Sequence, residues 1–246
     1  MQMSLKDWRA FVKKLSAVNT KAADEVKRYI AENGLADTQA LIRFCFGVAE
    51  KYGNASASLS ALMYDTMAEL ERVALPAAEL AKTATYADVA ESINGTLKIS
   101  QNPDSIAGAV SRLVKLAGQD TFLQNAKRDG AEFAWIPSGD SCPYCLMLAS
   151  RGWEKVGKGT LKDGHATHIH SNCDCTYMVR HSSSFNVSGY DPDRLYSTYR
   201  NAEGITWQDK INTLRREQYK EDAPKIRAQK REAYALRKET EDNQAP

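Results

Sequence analysis

The chain has 246 residues, of which 43% are hydrophobic, 33 are lysine or arginine and 31 are aspartate or glutamate. That length allows one large domain or two small ones, with enough apolar residues to build a core. The formal net charge is +2 at pH 7, so the chain is not strongly basic overall. Its net charge alone therefore does not indicate a nucleic-acid-binding protein.

The sequence carries no sign of export or membrane insertion. The first residues show no charged segment followed by an apolar run, and no apolar stretch approaches the roughly 18 residues that span a bilayer. We therefore expect a soluble protein that is made in the cytoplasm and has no membrane partner. Because disulfides are rare in that compartment, the five cysteines favour metal or redox chemistry.

The first half of the chain has the periodicity of amphipathic helices. Three helices are predicted in succession: residues 4–32, the stretch from Asp37 to Gly53, and residues 58–73. Ser4 and Asp7 form a capping-box-like start, and Asn33-Gly34 ends the first helix. Gly53 is expected to break the second helix.

Two further helices are predicted after an alanine-rich segment that begins at Leu75-Pro76. They cover residues 86–97 and residues 105–127. The methionine and aromatic residues that recur along all these helices are most simply interpreted as core. Residues 1–130 are therefore predicted to form a helical N-terminal region.

The pattern changes near Glu132, where short apolar runs replace the helical stripes. Strands are predicted at three places: residues 133–137, 153–156 and 176–179. A short helix is expected over residues 145–150, and residues 157–164 have the composition of a glycine-rich loop. Residues 131–182 are thus predicted to form a small α+β unit. Its modest apolar content favours stabilisation of the unit by a bound metal ion.

Four of the five cysteines and three of the four histidines lie within one short stretch of this unit. The stretch contains Cys142-Pro143-Tyr144-Cys145, then His165, His168 and His170, and then Cys173-Asp174-Cys175. A C-x2-C pair, a gap of about two dozen residues and an H-x2-C pair have the spacing of two turns that each aim two side chains at one point. Two such turns that face each other form a closed four-ligand shell, which is the shell of structural Zn²⁺.

The expected ligands of one zinc ion per chain are Cys142, Cys145, His170 and one of Cys173 and Cys175. Residues two apart in an extended segment point the same way, so Cys173 and Cys175 compete, and the spacing leaves open which of them binds. A shell of three cysteines and one histidine has no open position, which favours a structural ion over a catalytic one. His165 and His168 are interpreted as loop histidines.

Catalytic interpretations of the same residues explain less of the pattern. Cys-Pro-Tyr-Cys is also a glutaredoxin motif, but here a helical region precedes it and the second cysteine pair is left without a role. Zinc deaminases pair His-x-Glu with a later Pro-Cys-x-x-Cys, an order that this chain lacks. A nuclease of the HNH type could use one of the three histidines with Asn172, but nothing fixes a carboxylate for it. We therefore predict no catalytic residue.

Residues 183–246 are predicted to be a linker and a polar, basic helical tail. Ser182-Ser183-Ser184 has linker composition, and Tyr190-Asp191-Pro192-Asp193 indicates a helix start. The chain is expected to be helical again from Trp207, with Pro224 dividing the helix. Residues 225–238, rich in lysine and arginine, form either a solvated helix or a contact with DNA or an acidic partner. The predicted fold class is therefore mainly α, with a small α+β, zinc-finger-like Cys/His module.

The run from Ala134 to Gly152, followed by His170-Ser171-Asn172-Cys173-Asp174-Cys175, resembles the MuF-type minor head proteins of tailed phages. The similarity is greatest to the branch from phages of Gram-positive hosts. Residues 117–121, residues 125–129 and Tyr190-Asp191-Pro192-Asp193 also match this family. Asn172 stands where relatives often carry a histidine, whereas His170 matches another histidine of the pattern, so the ligand role is placed on His170.

The resemblance implies a structural and assembly role in the virion, at the portal vertex inside the procapsid, with the Cys/His module as a folding staple. The expected partners are the portal protein and other capsid components, and the expected location is the capsid interior, after the host cytoplasm during assembly. Packaged double-stranded DNA is expected to contact four cations of the tail: Lys225, Arg227, Lys230 and Arg231. The alternative is a zinc-containing nucleic-acid-binding or nuclease-like protein.

Overall fold

The computed structural model describes residues 2–137, 141–157 and 176–242. This part of the chain is mainly helical, which confirms the coarse fold class expected from the sequence. Its helices are α1 (Leu5–Asn33), α2 (Thr38–Glu71), α3 (Tyr86–Ile99), α4 (Pro103–Asp129), α5 (Pro143–Ala149), α6 (Pro192–Asn201) and α7 (Trp207–Asp242). Its strands are β1 (Gln2–Met3), β2 (Glu132–Ile136), β3 (Glu154–Lys155), β4 (Thr176–Arg180) and β5 (Asn186–Val187).

Helix α1 begins and ends where the sequence predicts. The Ser4 hydroxyl accepts a hydrogen bond from the Asp7 backbone N–H (3.1 Å) and donates one to the Asp7 carboxylate (2.5 Å). Gly34 follows the last helical residue with φ 70°, a left-handed conformation that glycine adopts without steric cost. Local capping chemistry therefore sets both ends of this helix.

Helix α2 runs unbroken through Gly53, so the prediction of two helices separated at this glycine is wrong. Gly53 marks a close approach between segments, because a Cβ there would lie 2.9 Å from Cγ2 of Thr83 and 3.6 Å from Cβ of Ala117. The low helix propensity of glycine is overridden by this tertiary packing.

Helices α3 and α4 confirm the two predicted helices to within a few residues. Thr85 and Asp88 form a capping box at the start of α3, and Asn102 caps α4. Gly130 ends α4 with φ 67°. The alanine-rich residues 73–85 between α2 and α3 form neither helix nor strand, and we refer to residues 76–81 of this segment as the strap.

The three predicted strands form one antiparallel sheet in the order β3-β2-β4. Strand β2 is central, with Phe133 opposite Glu154 of β3 and opposite Val179 of β4. Both β2 and β4 are buried along most of their length, in keeping with their near-continuous apolar sequence. At one end of the sheet, Ile136 of β2 pairs with Thr176 of β4.

A second, parallel pairing joins the start of the chain to a segment that the sequence predicted as linker or mixed structure. Met3 of β1 pairs with Val187 of β5, and the Ser188 N–H donates to the Met3 carbonyl (3.1 Å). The Glu71 carboxylate at the end of α2 accepts hydrogen bonds from the backbone N–H groups of His181 (2.9 Å) and Ser182 (2.7 Å). Residues 181–188 are therefore tied to the body at both ends.

Two clusters of buried side chains hold the fold together. The aliphatic core lies among α1–α4 and consists of Ala22, Val26, Ile30, Leu41, Ile42, Cys45, Val48, Ala49, Val89, Ile93, Ile106, Ala107, Val110, Leu113 and Val114. The aromatic core joins the helices to the sheet and α5, and its largest members are Trp8, Phe11, Tyr64, Phe122, Phe133, Trp135, Tyr177, Phe185 and Tyr190. The aromatic core thus draws on residues from each of the three predicted regions, 1–130, 131–182 and 183–246, whose boundaries stay a prediction.

Helix α7 is continuous across Pro224, so the prediction that this proline divides the helix is wrong. A proline inside a helix removes one backbone donor and does not by itself end the helix. The first turns of α7 pack on the body, where Ile211 is fully buried. None of the described helices is long and apolar enough to cross a membrane.

Candidate functional site

Cys142 and Cys145 are positioned by the first turn of α5. Cys142 is the residue before the helix, in extended conformation, and Pro143 occupies the first helical position, where its fixed φ suits the helix and its missing N–H costs nothing. The Leu146 N–H donates to the Cys142 carbonyl (3.0 Å) and closes the turn. Cys145 is buried and Cys142 is half-buried, so both thiols lie on the inner side of the turn.

The two sulfur atoms are 3.6 Å apart. A disulfide would bring them to about 2.05 Å, so the two sulfur atoms are not bonded to each other. Two thiolates that each lie about 2.3 Å from a tetrahedral metal ion are separated by about 3.8 Å, from the tetrahedral angle alone. The geometry of this pair therefore fits one half of a tetrahedral metal site.

The remaining predicted ligands, His170, Cys173 and Cys175, lie outside the described residues, as do His165 and His168. Within the described ranges, no group of three or more histidine, cysteine, aspartate or glutamate side chains is arranged to hold a metal ion. The sheet has one relevant feature. Since Ile136 pairs with Thr176, the chain leaves β2 toward Cys142 and enters β4 after Cys175 at the same end of the sheet.

The C-terminal end of α5 is anchored by Tyr190, a residue of the downstream motif. Its hydroxyl donates to the Ala149 carbonyl (2.6 Å), and its ring meets Trp153 edge to face, with centroids 6.0 Å apart. The Arg180 guanidinium lies 4.6 Å from the Trp153 ring centroid and bonds Glu132 (2.7 Å). Burial raises the pKa of Tyr190, which keeps the phenol a hydrogen-bond donor.

The strap is held by a polar face of α4 that was not predicted from the sequence. The Asn125 side chain bonds both backbone groups of Glu79, since Oδ1 accepts from the N–H (2.9 Å) and Nδ2 donates to the carbonyl (2.8 Å). The Thr121 hydroxyl accepts from the Ala81 N–H (3.1 Å). A signal was present, because Thr121, Asn125 and Asp129 recur every four residues and therefore share one side of the helix.

Arg128 and Asp129 continue this contact at the end of α4. Arg128 donates to the carbonyls of Pro76 (3.0 Å) and Ala77 (3.1 Å) and bonds the Asp129 carboxylate (2.8 Å). Tyr64 of α2 also donates to Asp129 (2.7 Å). The Arg128 guanidinium lowers the pKa of Asp129 against the opposing effect of burial, and Tyr64 lowers it further. Asp129 is thus an ionised anchor between two helices and the strap.

The cations predicted to contact DNA lie on α7. Lys225, Arg227 and Arg231 are exposed, and Lys230 is on the same helix. Glu221 and Asp222 lie about one turn before Lys225, and Glu232 directly follows Arg231, so the charge along the helix is mixed. The arrangement offers the exposed cations Lys225, Arg227 and Arg231 to a phosphate backbone.

Comparison with known protein families finds a match. The family model described as VG15 protein matches residues 2–202, from β1 to the end of α6, and leaves α7 outside the match. Searches of curated proteins and of solved structures find no significant match. The matched region contains both cores, the Cys142–Cys145 turn and the polar face of α4.

Proposed function

We propose that this chain, which belongs to the VG15 family of phage proteins, is a minor structural protein of the phage head that acts during head assembly. The family match is the observation that carries the proposal, because it covers the helical body and the sheet together. The finer assignment is to the MuF-type minor head proteins, in the branch from phages of Gram-positive hosts. It rests on the resembling run from Ala134 to Gly152 and the cysteine pair at 173 and 175.

The roles of the motif residues in the fold support a structural protein. The upstream motif at residues 125–129 supplies Asn125 and Arg128, which bond backbone groups of the strap, and Asp129, which accepts bonds from Arg128 and Tyr64. The downstream motif supplies Tyr190, which anchors α5. In both places the resembling residues bond backbone groups of neighbouring segments, as expected of residues that maintain a shape.

The proposed location is the interior of the procapsid near the portal vertex, with the portal protein and other capsid components as partners. Mass spectrometry of procapsids and mature virions from the encoding phage tests this directly. We expect peptides of this chain in procapsids at few copies relative to the major capsid protein, and we expect deletion of the gene to impair head assembly. Absence of the chain from both kinds of particle would contradict the proposal.

We further propose one structural Zn²⁺ per chain, bound by Cys142, Cys145, His170 and one of Cys173 and Cys175. The separation of 3.6 Å between the sulfur atoms of Cys142 and Cys145 supports it, as does the common end of the sheet from which both ligand segments extend. Bound zinc would crosslink these segments and so stabilise this end of the sheet.

Elemental analysis of full-length protein purified without chelator tests the zinc proposal. We expect about one zinc per chain, and we expect Cys142→Ser to lose it because a serine hydroxyl is a poor ligand for this ion. Cys45→Ala is the matched control, since Cys45 lies in the aliphatic core and burial raises the pKa of its thiol to about 12. Unmodified protein without zinc, or zinc retained in Cys142→Ser, would refute this ligand set.

The exposed cations of α7 support a contact with packaged double-stranded DNA. Electrophoretic binding at several salt concentrations tests it, with Lys225, Arg227 and Arg231 changed together to glutamine. We expect this triple variant to bind more weakly and with a smaller salt dependence, because fewer counterions are released. The control changes Lys6, Lys13 and Lys14, three exposed lysines of α1, in the same way. Equal loss in both variants would mean that α7 has no special role, and metal-dependent cleavage of the DNA would favour the nuclease-like alternative.

A further inference from the structure

A cluster of buried polar side chains lies where α1, α2 and α4 meet in the helical body. We refer to it as the polar seam, and its members are Asn19, Ser56, Ser60, Lys115 and Gln119. Ser60 is 1% exposed and Gln119 is 4% exposed, and Ser56 and Lys115, one turn earlier on the same two helices, are buried as well. Neither the zinc proposal nor the strap uses these residues.

Three atoms of the seam are buried without a hydrogen-bond partner within the described chain. They are Oγ of Ser60, Oε1 of Gln119 and Oδ1 of Asn19. Buried polar atoms in folded proteins almost always have a partner, either protein or ordered water, because an unsatisfied one is destabilising. Two of these atoms are acceptors, and the third belongs to a hydroxyl that can both donate and accept.

The same side chains line a small cavity. The space open to the centre of a water-sized sphere is about 20 Å³. One water molecule needs roughly 10–15 Å³ by this measure, together with two to four polar partners. The cavity is therefore large enough for a single water and too small for an organic ligand.

We infer that the polar seam binds one internal water molecule. Such a water donates its two protons to the acceptor oxygens of Gln119 and Asn19 and accepts from the Ser60 hydroxyl. A metal cation would also suit three oxygen atoms, but Lys115, a cationic residue, lines the same cavity and disfavours a second positive charge there. An anion would face the carbonyl oxygens of two amides. Water is the species that fits all of these neighbours.

The backbone around the seam is tightly fitted. A Cβ at Gly118 would lie 2.5 Å from Oγ of Ser56 and 2.8 Å from Oγ of Ser60. Any residue larger than glycine would push these hydroxyls aside. The glycine thus lets α4 approach α2 closely, and the polar side chains beside it keep a space that apolar packing would have filled.

The seam also has a route to solvent. A larger open groove between α1 and α4 shares three lining residues with the cavity: Ser16, Asn19 and Lys115. We therefore expect a water in the seam to exchange on the side of this groove without unfolding of the helices. The expected residence time is longer than that of surface water and shorter than the lifetime of the folded state.

Water ¹⁷O relaxation dispersion on the full-length protein, paired with a high-resolution crystal structure, tests this inference. We expect density for a water within hydrogen-bonding distance of Oγ of Ser60 and Oε1 of Gln119. In the Ser60→Ala, Gln119→Leu double variant, we also expect a smaller dispersion amplitude. The decrease should correspond to the loss of one long-lived water molecule. Ser58→Ala is the control, because Ser58 is exposed on the same helix and bonds only its own helix backbone (2.8 Å).

Three results would overturn the inference. One is a cavity closed by a direct hydrogen bond between Ser60 and Gln119. Another is an ion at the site, recognised by anomalous scattering after soaking with rubidium or bromide. The third is an equal dispersion amplitude in the double variant and in the unmodified protein. If the double variant does not fold, the presence or absence of electron density for the water in the unmodified protein decides whether the inference holds.

Discussion

The aliphatic core and the aromatic core differ in where their residues come from. The aliphatic core is built entirely from α1–α4, and each helix contributes a stripe that recurs at helical spacing. The aromatic core collects side chains from Met3 to Tyr190, which come from helices, strands and irregular segments. The first is a consequence of local periodicity, whereas the second exists only when distant parts of the chain have come together.

The same difference separates the two kinds of polar contact. The caps of α1 and α3 involve residues three apart in sequence. By contrast, Asn125 bonds Glu79 of the strap, which lies 46 positions away in the sequence. Glu71 bonds the backbone of His181 after β4, which lies 110 positions away. Local polar signals are therefore visible in the sequence, and long-range ones are visible only in the tertiary structure.

The largest expected effect is on the aromatic core. Phe133→Ala should lower the free energy of unfolding by about 3–5 kcal/mol, because it removes a fully buried ring between the sheet and the helices. Ile93→Ala in the aliphatic core is the matched change, with an expected loss of about 2–5 kcal/mol. Urea unfolding monitored by far-UV circular dichroism and by tryptophan fluorescence measures both.

The two probes also test whether the cores are independent. Trp8 and Trp135 lie in the aromatic core, and no buried member of the aliphatic core is a tryptophan, whereas circular dichroism reports all helices. Because α1, α2 and α4 contribute to both cores, we expect the two curves to coincide in the unmodified protein. Separate transitions would show that the cores unfold as distinct units.

The next effect concerns the glycines of α2. Gly53→Ala should destabilise the protein by about 1 kcal/mol, because the added methyl group forces Thr83 to move and overpacking outweighs the gain in helix propensity. Gly47→Ala, where a Cβ has nothing within 4 Å, should stabilise it by about 0.5–1 kcal/mol. Thermal denaturation of the two variants gives the comparison, and stabilisation by both would mean that Gly53 does not serve close packing.

A more local effect is expected at the strap. Asn125→Ala removes both bonds to Glu79, so that the Glu79 N–H loses its Asn125 acceptor while the carbonyl keeps the bond from Gln124. The expected cost is about 1–3 kcal/mol and is concentrated in local opening of the strap. Amide hydrogen exchange of residues 76–81 should become faster. Gln124→Ala, which removes one more exposed bond to the same carbonyl, is the control. Unchanged exchange in Asn125→Ala would contradict the anchoring role.

The smallest effect is the pH dependence that Asp129 contributes. Folding lowers the pKa of the Asp129 carboxyl group. The ionised carboxylate therefore contributes its full stabilisation at pH values above the ordinary aspartate pKa of about 4. This contribution is lost as the pH falls through the lower pKa of the folded protein. The urea midpoint of Asp129→Asn should therefore fall less between neutral and acidic pH than that of the unmodified protein. Glu91→Gln, on an exposed part of α3, is the control. Parallel pH profiles for Asp129→Asn and the unmodified protein would exclude this contribution.

The sequence alone was sufficient to predict the helical class, the ends of α1, the extents of α3 and α4 to within about two residues, and the three strands of the sheet. These features follow from apolar spacing and from caps within a few residues, which any chain carries in its local order. It was also sufficient to single out Cys142 and Cys145 as a pair, because a three-residue spacing with Pro143 between them makes one turn. The zinc ion and its other ligands stay a prediction.

Only the tertiary structure decided how the remaining residues are used. Gly53 was expected to end a helix and instead allows Thr83 to approach it, and Pro224 was expected to divide a helix that continues. The pairing of β1 with β5, the bonds of Asn125 to the strap and the polar seam join residues that are far apart in sequence. Propensity describes the cost of a residue in isolation, but the space and partners around it are set by segments elsewhere in the chain.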